Sequence, residues 1–137
     1  MNELAQQPIV QVLRWLALLP ASFLAAWLGW ILINLLGRFS LSFAGVDSES
    51  FMAQLYFNTA GHSAAGAAFV FAGAKTAPMR HNLVAFVLGG LAILISGFLL
   101  FPSIVTGDAW AMWGAVCVAA GAGFVVYFAH TGEIELD

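Results

Sequence analysis

The sequence predicts an all-α integral membrane protein, a four-helix bundle of four transmembrane helices joined by short loops. Three observations predict it. Four apolar runs, Trp15–Gly37, Phe51–Ala74, Leu83–Phe101 and Ala109–Ala129, contain no Asp, Glu, Lys or Arg. A helix rises about 1.5 Å per residue, so about 20 residues cross a hydrocarbon core of about 30 Å, and each run is about that long. Hydrophobic residues make up 62% and charged residues 8% of the 137, with mean hydropathy +0.94; a soluble domain carries about 25% charged residues. Small residues also recur at every fourth position along each run. The spans are placed at about residues 9–37, 51–74, 82–101 and 108–130, one transmembrane domain over residues 1–137 with no room for a soluble catalytic module.

The first element opens at Pro8, whose missing N–H costs nothing in a first helical turn. Met1–Gln7 is polar, contains Glu3 and lacks Lys and Arg, a poor start for a signal peptide. The first run also exceeds the roughly 7–15 residues of a secretory apolar core, so an uncleaved first span is expected despite the small pair Ser42 and Ala44. Pro20 predicts a bend near Leu16–Ala21, because it removes a backbone bond to Leu16. Arg38–Ser50 is the longest expected loop. It ends in Asp47, Ser48, Glu49 and Ser50, which offer N-cap oxygens and negative charge to the second span. Lys75–His81, with Pro78, separates spans two and three. Pro102–Asp108 forms the next turn, with Thr106 or Asp108 as cap. Gly132 ends the fourth span ahead of the acidic tail Glu133–Asp137.

Lipid tails are as apolar as leucine, so helices in a bilayer associate through close packing of small residues. Span one offers Ala17, Ala21, Ala25 and Gly29, and span two offers Ala60, Ala64, Ala68 and Ala72. Span three offers Ala85, Gly89 and Gly97, and span four Ala111, Ala115, Ala119 and Gly123. Residues four apart share a helix face, so each set predicts a packing seam. Span two, polar at one end and almost all Ala and Gly at the other, is expected to be the most enclosed; span three, rich in Leu, Ile, Val and Phe, should face lipid most.

Gln54, Asn58 and His62 follow four-residue spacing on one face of span two. Asn34 and Arg38, also four apart, lie at the end of span one nearest the same membrane side. If the spans are antiparallel neighbours, these five residues converge. A polar group in hydrocarbon costs several kcal/mol unless paired, which makes them a candidate ligand site. Two other readings compete. Asn and His side chains often hold helices together, for about 0.6 kcal/mol each, and Arg38 at a helix end can snorkel to the headgroups. Cofactor ligation is the third reading. Haem held by two histidines needs both at one depth, and His62 lies toward the opposite side from His81 and His130, so no cofactor is expected. No catalytic group, intramembrane carboxylate relay or metal-ligand spacing stands out. Cys117, alone and mid-span, reads as a small hydrophobe.

Lys75, Arg80 and Arg14 fall on one side of a four-span chain and only Arg38 on the other, which places both termini in the cytoplasm and the protein in the cell (inner) membrane. Four Lys and Arg against seven Asp and Glu give no basic face for nucleic acid. The expected partners are the lipid bilayer and either a second copy or another membrane protein. The leading functional expectation is a non-enzymatic accessory or structural subunit, or a self-associating membrane protein. The alternative is an oligomeric channel or small-solute transporter with its polar site around Asn58 and His62.

Overall fold

A computed structural model describes residues 7–136. The chain is all-helical over these residues. Helix α1 covers Pro8–Ala44. Helix α2 is one rod of three windings: α-helical over Phe51–Tyr56, π-helical over Phe57–Gly61 and α-helical again over His62–Thr76. Helices α3 and α4 cover His81–Thr106 and Ala109–Thr131. Among the described residues three helices, α1, α3 and α4, are each long and apolar enough to cross a membrane.

The ends follow local chemistry. The Ser50 hydroxyl accepts the Ala53 N–H at 3.3 Å and the Asp108 carboxylate accepts the Ala111 N–H at 3.1 Å, so each caps the first turn behind it. Gly45, Gly107 and Gly132 close α1, α3 and α4 with φ of 67°, 70° and 78°, a left-handed backbone that glycine adopts without strain. Two expected boundaries move. Helix α1 runs through Arg38–Ala44, where the sequence predicts loop, because nothing there breaks a helix before Gly45. Helix α3 continues through Pro102 to Thr106, where a turn was expected; one proline removes a single donor, and the break waits for Gly107. Pro20 likewise sits within α1 without ending it.

The second rod is central, as its composition suggests: α1 packs on one side of it and α3 and α4 on the other. The expectation that span three faces lipid most is corrected. Helix α1 has only α2 as a major neighbour, and 11% of the residues in its apolar stretch are buried, against 33% in each of α3 and α4. The core joins Leu18 of α1, Phe69, Val70 and Ala74 of α2, Val84, Ala85, Leu88 and Ala92 of α3, and Ala122, Val125 and Ala129 of α4. The tail is not simply an acidic solvated end, since Leu136 is buried in the same core and Ile134 packs against it. Met1–Gln6 and Asp137, read as parts of polar ends, lie outside the described residues.

Close approach is concentrated at glycines seven residues apart. A Cβ at Gly66 would strike the Val118 backbone, one at Gly121 the Ser63 backbone, and one at Gly73 the side chains of Ser22 and Leu88. Gly114 and Gly121, seven residues apart, both face α2, whereas Gly66 faces α4 and Gly73 faces α1 and α3. Of the four-residue rows, Gly29 meets Ala64 and Ala68, and Gly89 meets Val126. Ala115 is buried, and Ala21, Ala25, Ala60, Ala72 and Ala119 are half-buried. Ala17 and Ala111 are exposed, and a Cβ on Gly97 or Gly123 would meet open space.

Arg14 fixes one end of the bundle. Its guanidinium donates to the carbonyls of Thr76 at 3.0 Å, Ala77 at 2.9 Å and Lys75 at 3.3 Å, which are carbonyls at the C-terminal end of α2 that the helix itself leaves without donors. The His81 ring lies 2.7 Å from the Ala74 carbonyl through Nδ1. Arg14 and the 77–80 turn therefore share one end of the molecule.

Candidate functional site

At the other end, all five polar residues singled out in the sequence line one cavity of about 250 Å³, with Trp30, Ser48, Glu49 and Phe57. Asn34 and Arg38 come from α1, Gln54, Asn58 and His62 from α2, and Ser48 and Glu49 from the connection between them.

Glycines make the room. A Cβ at Gly61 would lie 2.7 Å from Asn34 Nδ2, so the α2 backbone recedes where Asn34 enters. At Gly37 a Cβ would lie 2.7 Å from the rings of Phe57 and Tyr56, and at Gly114 of α4 2.9 Å from His62 Nε2. The imidazole thus rests on a glycine of α4 while its other nitrogen faces its own helix.

The π-helical stretch shapes this face. Four residues of α-helix overshoot a full turn by about 40°. A π-turn takes more residues per revolution, so the step from Asn58 to His62 drifts the other way and keeps the row on one line. At the end of this stretch the His62 backbone N–H bonds Thr59 O, three residues back, and the ring Nδ1 lies 2.8 Å from Asn58 O. A carbonyl only accepts, so Nδ1 donates in this contact. Trp113 of α4 holds the same stretch, its indole N–H donating to Thr59 Oγ1 at 2.8 Å.

Carboxamide orientations follow by the same reasoning. Asn34 Nδ2 donates to Trp30 O at 2.8 Å, Asn58 Nδ2 to Gln54 O at 2.9 Å and Gln54 Nε2 to Glu49 O at 3.3 Å. The amide oxygens are left as acceptors. Arg38 places its guanidinium 5.8 Å from the Phe57 ring centroid, within cation–π range. Among the described residues it makes no hydrogen bond or ion pair, and Arg38 and Glu49 do not bridge each other although they line one cavity.

Distances along the helices follow from counting residues. Arg38 is 24 residues from Arg14 along one helix, about 36 Å, against a hydrocarbon core of about 30 Å. His62 lies 14 residues from Thr76, about 21 Å along α2. The cavity extends along α2 from Glu49 and Gln54 to His62. Beyond His62 the polar lining stops, and the α2 face continues in Phe69, Val70 and Ala74.

Sequence reasoning named the five residues but missed Trp30, Ser48, Glu49 and Phe57. In the sequence Glu49 signals only a cap-region charge, whereas Phe57 sits three residues from Gln54, a spacing that places it on the same face. No protein-family model matches this chain, and no curated protein or solved structure is significantly similar to it.

Proposed function

We propose that the chain is a four-span, non-enzymatic protein of the cell (inner) membrane, with both termini and the 77–80 turn cytoplasmic, that holds a small polar ligand in the crevice between α1 and α2. The second rod, Phe51–Thr76, supplies the fourth crossing: its windings are continuous over 26 residues, about 39 Å at α-helical rise, with Lys75 the one charge at its end. The observation that carries the ligand reading is the cavity itself. Side chains that only glue helices would pair with one another across the interface, whereas these donate to backbone carbonyls and leave acceptors around a 250 Å³ space.

The sequence alone placed an accessory or self-associating role first; the shared cavity moves the ligand site ahead of it. Transport of the bound solute, alone or in an oligomer, is the extension of this reading and requires a rearrangement below His62, where the lining is apolar. The accessory role stays as the second reading, favoured by the single-neighbour packing of α1, and predicts a co-purifying membrane protein.

A thermal-shift screen of small polar and zwitterionic solutes on the purified protein tests the ligand reading. A ligand at about 100 times its dissociation constant stabilises by about 2.7 kcal/mol, and the stabilisation disappears in Asn58→Ala and His62→Ala. No stabilising solute, or equal stabilisation of the variants, refutes it.

A further inference from the structure

We infer that the crevice is a phosphoethanolamine site: it takes a phosphoryl group linked to a primary ammonium, carried by a membrane lipid or by the free headgroup. The inference rests on the ligand reading above and names its chemical class.

The charges select a zwitterion. Arg38 and Glu49 line the same cavity without bridging each other. A plain anion would meet the Glu49 carboxylate and a plain cation would meet Arg38. A ligand carrying both signs a few ångströms apart satisfies both. Guanidinium geometry matches a phosphoryl group through two parallel N–H donors, and the stretch of α1 from Arg14 to Arg38, about 36 Å, exceeds a core of about 30 Å.

The amides select the kind of cation. Asn34, Asn58 and Gln54 spend donors on backbone carbonyls and keep oxygens that only a donor can satisfy. A primary ammonium offers three N–H groups and a quaternary ammonium offers none. Ethanolamine is therefore preferred to choline. A glycerol headgroup has hydroxyls but no positive charge for Glu49.

The test is native mass spectrometry of delipidated protein equilibrated with mixed micelles holding equal amounts of phosphatidylethanolamine, phosphatidylcholine and phosphatidylglycerol. Wild type retains one phosphatidylethanolamine per chain, about tenfold over either competitor, as expected of a charged hydrogen bond made or lost. Arg38→Gln reduces this retention to the level of the competitors. Glu49→Gln removes the discrimination against phosphatidylglycerol. Arg38 and Glu49 are both exposed, so the variants fold, and unchanged melting checks that they do.

Free phosphoethanolamine at millimolar concentration separates the two sources. Displacement of the lipid assigns the site to the headgroup in either form; lipid retained against it assigns the site to the membrane lipid. Equal retention of the three lipids by wild type, or a preference unchanged in both variants, overturns the inference. If a solute still stabilises the protein through Asn58 in that case, the ligand site stands and only its ethanolamine class falls.

Discussion

Gly121 of α4 lies against the backbone of Ser63 in α2, and Gly66 of α2 lies against the backbone of Val118 in α4. A methyl group added at either glycine would sit closer than 3.0 Å to carbonyl carbon and oxygen atoms of the facing helix. No side chain can rotate away, because the obstacle is backbone. The helices must part by more than about 1 Å to restore a normal carbon–oxygen contact of about 3.3–3.6 Å. A gap of only about 0.5–1 Å already forfeits a quarter to a half of each dispersion contact along the seam, and overpacking of this kind costs about 1–3 kcal/mol. Replacing a mid-helix glycine with alanine returns up to about 1 kcal/mol of helix propensity. Gly121→Ala should therefore destabilise by about 1 kcal/mol net, and by up to about 2 kcal/mol where the helices cannot part. The controls are Gly97→Ala and Gly123→Ala, which meet open space and should be neutral or stabilising by up to about 1 kcal/mol. The double variant Gly66→Ala/Gly121→Ala should cost less than the sum of its parts, since one separation relieves both clashes. Reversible unfolding in mixed detergent micelles, followed by tryptophan fluorescence, reads these differences. A Gly121→Ala protein as stable as the two controls, or strict additivity in the double variant, would refute the backbone-to-backbone seam.

Three further outcomes are expected. Arg14→Gln loses a charged clamp on three carbonyls and should destabilise by about 2 kcal/mol, with hydrogen exchange faster at Thr76 and Ala77 than elsewhere in α2; uniform exchange would count against a local clamp. Ser96 buries a hydroxyl that has no hydrogen-bond partner among the described residues, so Ser96→Ala should leave the melting temperature unchanged or raise it, by removing a penalty of about 1–3 kcal/mol; a lower melting temperature would mean that the hydroxyl is paired. Trp113→Phe removes the indole donor to Thr59 at about 0.6 kcal/mol and should weaken ligand stabilisation at the site more than it lowers basal stability. Equal losses would separate the π-helical stretch from the site.

The helices were legible because lipid leaves the sequence little freedom: long charge-free runs, and capping residues such as Ser50 and Asp108, are readable without neighbours. The ends were less legible. Pro102 and Arg38–Ala44 look like interruptions, but a helix stops where the backbone is forced to turn, here at Gly45 and Gly107. The seams were legible in part: Gly29 meets Ala64 and Ala68 as four-residue rows predict. Rows of small residues four apart are frequent in an Ala- and Gly-rich chain, whereas the glycines that touch facing backbone, Gly66 and Gly121, are identified only once the crossing is known. Convergence of Asn34, Arg38, Gln54, Asn58 and His62 followed from periodicity and antiparallel neighbours alone. Glu49 and Trp30 joined them through the path of the connection and the recess at Gly61, which no spacing rule encodes.

Cysteine accessibility in intact cells tests the four-span reading most directly. On a Cys117→Ala background, single cysteines at Ser48, Met79 and Glu135 are challenged with a membrane-impermeant maleimide. Four crossings with an outward crevice predict labelling of Ser48→Cys from outside, with Met79→Cys and Glu135→Cys labelled only after permeabilisation. Labelling of Ser48→Cys and Met79→Cys from the same side would mean that α2 does not cross, and would contradict the membrane arrangement on which the site depends.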